Sequence, residues 1–212
     1  MRPMMAGNLP SCRPVDGFVA LSDRSAPGSR AMPDRINRED VDVDEEWASF
    51  ESEDPVALTL RVLAPDEALM AAAPFASLIR VWLDRRSDAG PPDWGAFDFA
   101  DFRGWHSRLM TTVFPDDEPD PEFRIVGDAW RNMAGSNIRG RRFSQCTPRL
   151  YASQYRMHFR AIRDTGRVGW AYGRPTIAGR EHVRIQVIEL PIRHGGPLVG
   201  GLIHGLFIGP SG

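Results

Sequence analysis

Apolar residues recur at helical spacing in two stretches of the chain. The first stretch predicts an amphipathic helix that begins at Pro74 and ends near Arg86, with one apolar stripe made of Phe75, Leu78, Ile79, Trp82 and Leu83. The second predicts a longer helix from about Pro148 to Thr165, which Gly166 ends. Weaker patterns predict a further helix over Phe99 to Leu109 and short helical pieces in DAWRNMAG and IRGRRF. Pro55 to Leu63 fits either a strand or the beginning of a helix.

Short apolar or alternating runs predict strands in the second half of the chain. MTTVF and EFRIVG flank the turn PDDEPDPE and form a predicted hairpin. Three further segments end the sequence, namely VGWAYGRPTI, HVRIQVIELPI and LVGGLIHGLFI. Their alternation is typical of antiparallel strands with one buried face. Together these elements predict an α+β domain with a five-stranded antiparallel sheet and flanking helices.

Charge divides the chain into an acidic front and a basic back. Residues 1–54 carry a net charge of −6, residues 55–121 carry −5 and residues 122–212 carry +9, which sum to −2. The stretch Glu39 to Asp54 has nine acids among sixteen residues. Because such a composition buries little apolar surface, we expect residues 1–54 to be a disordered acidic extension. Residues 55–110 then form a helical cap and residues 111–208 the core.

The residue types present exclude several kinds of chemistry. All 26 basic residues are arginine, so a Schiff-base lysine or a phosphate-loop lysine is excluded. Cys12 and Cys146 form no C-x-x-C pair, and no long uncharged apolar stretch occurs, so we expect a cytoplasmic protein that does not span a membrane. The usual hydrolase, zinc and nucleotide motifs are missing, and the histidines lack metal-ligand spacing. We therefore expect neither a familiar enzyme nor a dedicated metal site.

The predicted helix after Pro148 has two different faces. At 100° per residue, five arginines fall within about 40° of one direction. They are Arg149, Arg156, Arg160, Arg163 and Arg167. Gln154 and His158 fall on the opposite, mainly apolar half. The arginine side is either solvated or a contact for phosphate, nucleic acid or an acidic protein. The chain's own front segment is the nearest acidic partner.

The ordered set of segments resembles the PAS sensor domain, in particular short stand-alone bacterial PAS proteins. The resemblance covers residues 74–208 and rests on FASLIRVWLDRR, FRIVGDAWRNMAGSNIRGRRFSQ, RLYASQYRMHFRAIRDTGRVG, the ELPI strand and the final strand with its GG pair. It implies a five-stranded sheet with a small cavity under the helices and a role in signal perception or regulated protein contact. No effector sequence accompanies the domain, so its output is expected to act on a protein partner in trans.

The resemblance also implies where a small ligand binds. We expect eight side chains to contribute to the cavity or its rim: Trp130, Met133, Gln154, His158, Trp170, Tyr172, Ile185 and His204. The cofactor is unknown. In haem-binding members the corresponding helix carries the iron ligand, so His158 is the candidate for haem, although an inward histidine is more often a hydrogen-bonded core residue. Cys146 lies in FSQCTP and lacks the neighbours of the photoactive flavin motif. The alternative functions are a small enzyme with His158 or His204 as acid or base, and binding of nucleic acid through the arginines.

The amphipathic helix before the core needs a surface to cover its apolar stripe. An exposed stripe of this kind is rarely tolerated by a monomer. We therefore expect a homodimer built around Phe75, Ile79, Trp82 and Leu83. The competing outcome is that the stripe covers the protein's own sheet.

Overall fold

A computed structural model describes residues 58–209, apart from residues 116–117, 176, 178–179 and 181. The expected extension of residues 1–54 lies outside the described residues. The helices are α1 Pro65–Ala71, α2 Ala76–Leu83, α3 Asp128–Ala134 and α4 Arg149–Thr165. The strands are β1 Leu58–Leu63, β2 Leu109–Val113, β3 Glu122–Val126, β4 Val168–Gly173, β5 Ile185–Arg193 and β6 Val199–Ile208.

The strands form one antiparallel sheet in the order β1-β4-β5-β6-β2-β3. The predicted hairpin is present, since β2 pairs with β3, and β2 also pairs with β6 on its other side. The five expected strands are β2 to β6, and β1 adds a sixth by pairing with β4 along its whole length. The α+β class is therefore confirmed, and the count of five strands is corrected to six. Within the ambiguous segment, Leu58–Leu63 is a strand at the edge of this sheet.

Helices cover the sheet on both faces. On one, the α2 face, Leu78 and Trp82 of α2 pack with Ile188 and Leu190 of β5 in a buried apolar cluster. On the other, the α4 face, side chains of α3 and α4 pack on the alternate positions of the same strands. Because β5 is buried on both sides, its sequence is a nearly continuous apolar run rather than a clean alternation.

The two helices predicted from the spacing of apolar residues, α2 and α4, are present. α4 ends because Gly166 adopts a left-handed conformation with φ of 64°, and the Gly166 N–H donates to the Ile162 carbonyl oxygen. α2 directly follows a 3-10 turn over Ala73–Phe75. The apolar stripe of α2 and this turn is buried against the sheet, because Phe75 contacts Phe207 and Trp82 Nε1–H donates to the Pro191 carbonyl oxygen over 2.7 Å.

This burial corrects the basis of the dimer prediction. Phe75, Ile79 and Trp82 are each 0% exposed within the single chain, and Leu83 is half-buried. The stripe covers the protein's own sheet, so these side chains offer no surface to a second copy. Homodimerisation stays a prediction, but its proposed contact residues are already used in the core.

Two of the predicted helices are wrong. Residues 99–109 contain only a 3-10 helix over Phe99–Phe102, because the Asp98 carboxylate accepts from Ala100 and Asp101 N–H and starts a tight turn. Gly104, with φ of 86°, then breaks any helical path before β2. IRGRRF likewise holds no α-helix, and a 3-10 helix over Phe143–Gln145 begins at its end. The boundary expected between cap and core, at residue 110, falls inside β2.

Candidate functional site

Four polar side chains lie buried together in the middle of the α4 face. They are Thr112, His158, Glu189 and His204, with exposed fractions of 0%, 4%, 3% and 3%. The strand register explains why they meet: His204 of β6 lies directly opposite Glu189 of β5. His158 reaches the same point from α4, and Thr112 reaches it from β2. We call these four residues the polar cluster.

The polar cluster is continuous from the helix to the sheet. His158 Nε2 is hydrogen-bonded to Glu189 Oε2. The other carboxylate oxygen, Oε1, lies 3.8 Å from His204 Nδ1, and His204 Nε2 lies 2.9 Å from Thr112 Oγ1. One carboxylate therefore connects two imidazoles, and the second imidazole connects to a hydroxyl.

A glycine provides the room for this carboxylate. Gly169 of β4 is the register partner of Glu189, and a Cβ on it would collide with the Glu189 carboxylate and with Ile162 of α4. Ile162 is fully buried. The small residue in β4 is therefore required where α4 and Glu189 approach the strand most closely.

Burial and the two imidazoles set the electrostatics of the polar cluster. Burial acts to raise the pKa of Glu189, but the attraction to His158, the hydrogen bond with His158 and the attraction to His204 together hold that pKa below its ordinary value. Burial lowers the pKa of His204 to about 4, against the opposing effect of Glu189. At neutral pH Glu189 is thus a carboxylate and His204 is neutral.

The charge on Glu189 also determines which ring nitrogen of His204 carries the proton. A carboxylate favours the His204 tautomer that carries its proton on Nδ1, the nitrogen facing Glu189. His204 Nε2 then accepts from the Thr112 hydroxyl. Tyr155, one turn before His158 on α4, is buried as well, and burial together with the Glu189 charge raises the pKa of its phenol.

The polar cluster brings together some of the predicted cavity residues. His158 and His204 belong to it, and the Trp130 ring meets the His204 ring edge-to-face at 6.3 Å. Met133 and Ile185 are buried in the apolar cluster against which Trp130 packs. Gln154 is half-buried on α4.

Trp170 and Tyr172 lie on the opposite face of the sheet. Trp170 pairs in register with Ile188 and packs in the α2-face cluster, while its own neighbours Gly169 and Ala171 point to α4. The Trp170 and Tyr172 rings contact each other at 4.4 Å between centroids. On the α4 face, Ile162 and Glu189 approach β4 so closely that only glycine fits at position 169.

Sequence reasoning missed Glu189, Thr112 and Gly169. The signal for Glu189 was present, since it is the one acid inside the apolar run IQVIELPI, and a buried carboxylate requires partners. Thr112 gave no signal of its own, because a threonine in a strand is common.

The polar cluster as it stands does not fit haem. The His158 nitrogen that would bind iron is engaged by Glu189, and the ring is buried between α4 and the sheet. In the described part of the chain, no three His, Cys, Asp or Glu side chains form a group suited to a metal ion.

Three of the five arginines predicted on one side of α4 are exposed. Arg149, Arg156 and Arg160 are exposed, whereas Arg163 and Arg167 are half-buried. Arg163 forms an ion pair with Asp164 at 3.4 Å. None of the helices in the described ranges combines the length and apolar character needed to cross a membrane.

Comparisons with known proteins find a weak structural similarity. No family model and no curated protein matches this chain. A solved structure described as an RNA-binding Light-Oxygen-Voltage receptor is similar, with 18% sequence identity and a TM-score of 0.40. The match covers 55% of this chain and 36% of the receptor chain, so this protein spans about a third of that receptor's length. At this level of similarity we assign neither a family nor an activity from the match.

Proposed function

We propose that this protein is a sensory or regulatory module of the PAS type, which acts on a protein partner in trans and whose state is set by a small ligand at the polar cluster. The observation that carries the proposal is the buried Glu189 carboxylate between His158 and His204. Buried ionic groups contribute little net stability compared with apolar side chains of similar size. A fold that needed only a stable core would do as well with apolar residues here.

The location of the cluster supports a role in signalling. His158 lies on α4, while Glu189, His204 and Thr112 lie on three neighbouring strands. A change at the carboxylate therefore alters the contact between α4 and the centre of the sheet. Because α4 also presents exposed arginines to solvent, a shift of this helix changes a surface that a partner can read.

The surroundings define the class of ligand. Met133, Ile185, Val187 and Leu206 provide apolar walls beside the cluster. Glu189 supplies an anionic acceptor, and the neighbouring His204 is neutral. The matching ligand is small and mainly apolar, with a cationic or N–H donor group that replaces an imidazole at Glu189.

The test is to identify what the native protein carries. The full chain is purified without denaturation, then unfolded, and the released molecules are measured by mass spectrometry. We expect about one small molecule per chain, and at least about a tenfold lower occupancy in Glu189→Gln, because a hydrogen bond to a charged group is lost. Thr111→Val is the matched control, since Thr111 is buried next to Thr112 but faces the other side of the sheet.

A second measurement links the ligand to the helix. Amide hydrogen exchange is recorded over α4 in the loaded and the stripped protein, and we expect faster exchange around His158 after removal of the ligand. A wild-type protein that releases no small molecule, and whose α4 exchange equals that of Glu189→Gln, would refute gating at the polar cluster.

A further inference from the structure

The exposed side of α4 is a strongly basic surface. Arg149, Arg156 and Arg160 are exposed, and none of the three forms an ion pair with another residue in the described ranges. Asp164, near the end of the helix, is the only acid in the sequence of α4 and pairs with Arg163. We call Arg149, Arg156 and Arg160 the arginine face. Its charges are not neutralised by neighbours on the same helix.

The spacing of the arginine face fits an extended chain with closely spaced acids. The three arginines share one side of α4, and the first lies eleven positions before the last, which is about 16 Å along the helix axis. In the sequence, Asp42 to Glu46 places four acids within five residues, and an extended chain spans about 13 Å from the first of these acids to the last. The two charge patterns are opposite in sign and similar in length.

The chain that joins the acidic residues to β1 is long enough for them to reach the arginine face of α4. The described chain begins at Leu58, the first residue of β1, and α4 packs on β1. Leu58 pairs with Gly173, the last residue of β4. Because β4 begins directly after α4 ends, its last residue lies towards the beginning of α4. The chain from Glu46 to Leu58 comprises twelve residue-to-residue steps and can extend to about 40 Å, which is enough to reach over a helix about 10 Å wide.

We propose that the acidic stretch Asp42 to Asp54 binds in cis to the arginine face of α4. A tethered segment has a millimolar effective concentration, so it competes well against free anionic partners without forming unusually strong contacts. The segment thereby covers the surface of the helix that carries His158. This inference does not depend on the ligand proposed above, and its test uses no ligand.

The test is limited proteolysis of the full chain with endoproteinase Glu-C, which cleaves after the four glutamates of this stretch: Glu45, Glu46, Glu51 and Glu53. Each cleavage rate is divided by the rate of the same protein at 1 M salt, where the Debye length falls to about 3 Å from about 10 Å at 0.1 M. In the wild type we expect cleavage at 0.1 M to be about tenfold slower than at 1 M, from three screened ion pairs.

The charge-reversal variant removes the protection. Arg149→Glu, Arg156→Glu and Arg160→Glu together are expected to give the same rate at both salt concentrations. The matched control reverses three exposed arginines elsewhere, Arg80→Glu, Arg103→Glu and Arg184→Glu, and should behave as the wild type. Asp42→Arg with Asp44→Arg, added to the α4 variant, should restore slow cleavage without removing a Glu-C site.

Two results would overturn the proposal. One is equal protection in the wild type and in the α4 variant, with both shown to be folded by circular dichroism. The other is salt-independent cleavage of the wild type together with tight binding of a single-stranded RNA or duplex DNA probe that the α4 variant loses. That outcome would assign the arginine face to nucleic acid.

Discussion

The pairing of His158 with Glu189 gives a sharp prediction about stability. Replacing His158 by leucine leaves a carboxylate that is 3% exposed, with the neutral His204 ring 3.8 Å away. Breaking a buried pair in this way costs about 3–5 kcal/mol of unfolding free energy. Replacing both residues, as in His158→Leu/Glu189→Met, removes the buried charge altogether and should leave the stability within about 1 kcal/mol of the wild type or above it. The two substitutions are therefore expected to couple by about 3 kcal/mol or more.

Urea unfolding of the full chain at pH 7, followed by circular dichroism, measures this coupling. His158→Leu combined with Thr111→Val is the control cycle, because Thr111 is equally buried but faces away from His158, and its effects should add within about 0.5 kcal/mol. If His158→Leu does not fold, His158→Gln retains a hydrogen-bond donor and serves as the milder variant. Additive costs for His158 and Glu189 would show that the two side chains do not form the pair described here.

Three further predictions concern other parts of the core. Burial lowers the pKa of His204 from 6.5 to about 4, so between these values the unfolded chain binds a proton that the folded chain does not. Stability should fall by about 3 kcal/mol as the pH is lowered from 6.5 to 4, and urea titrations should show a smaller slope for His204→Gln. Gly169→Ala should cost about 1–3 kcal/mol by crowding Ile162 and Glu189, whereas Gly196→Ala, which meets no atom within 4 Å, should be nearly neutral in thermal unfolding. Trp82→Phe should cost about 2–3 kcal/mol in urea, because the Pro191 carbonyl oxygen loses its donor, and an unchanged midpoint would contradict that hydrogen bond.

The sequence predicts those elements that are determined by the spacing of their own apolar residues. The helix of Arg149 to Thr165 and its glycine stop follow from local periodicity, and so does the apolar stripe ending at Trp82. The sequence does not show what covers that stripe, because the partner surface comes from β5 and β6, about a hundred residues later. Phe99 to Leu109 is not an α-helix, because the Asp98 cap closes a tight turn that apolar spacing does not reveal.

The candidate site depends on long-range pairing and was only half predicted. His158 was placed inward correctly by its position on α4. Its contact with Glu189 joins residues 31 positions apart, and the contact of His204 with Thr112 joins residues 92 apart. Strand alternation shows that β4 has two different faces, but it does not show which face meets α4. The sequence therefore predicts Trp170 and Tyr172 on the α4 face, which in the structure holds Gly169 and Ala171.

The pairing of β1 with β4 gives the fold a mechanical weak point. The backbone enters the described part of the chain at Leu58, so a force applied to the chain before it acts directly on β1, at the outer edge of the sheet. Six register pairs hold β1 there, and they can open one after another while β4, β5 and β6 remain joined. Peeling would withdraw Leu58, Leu60 and Val62 from the apolar clusters under α4. A pull on the front of the chain would therefore loosen the helix that carries His158 before the sheet itself unfolds.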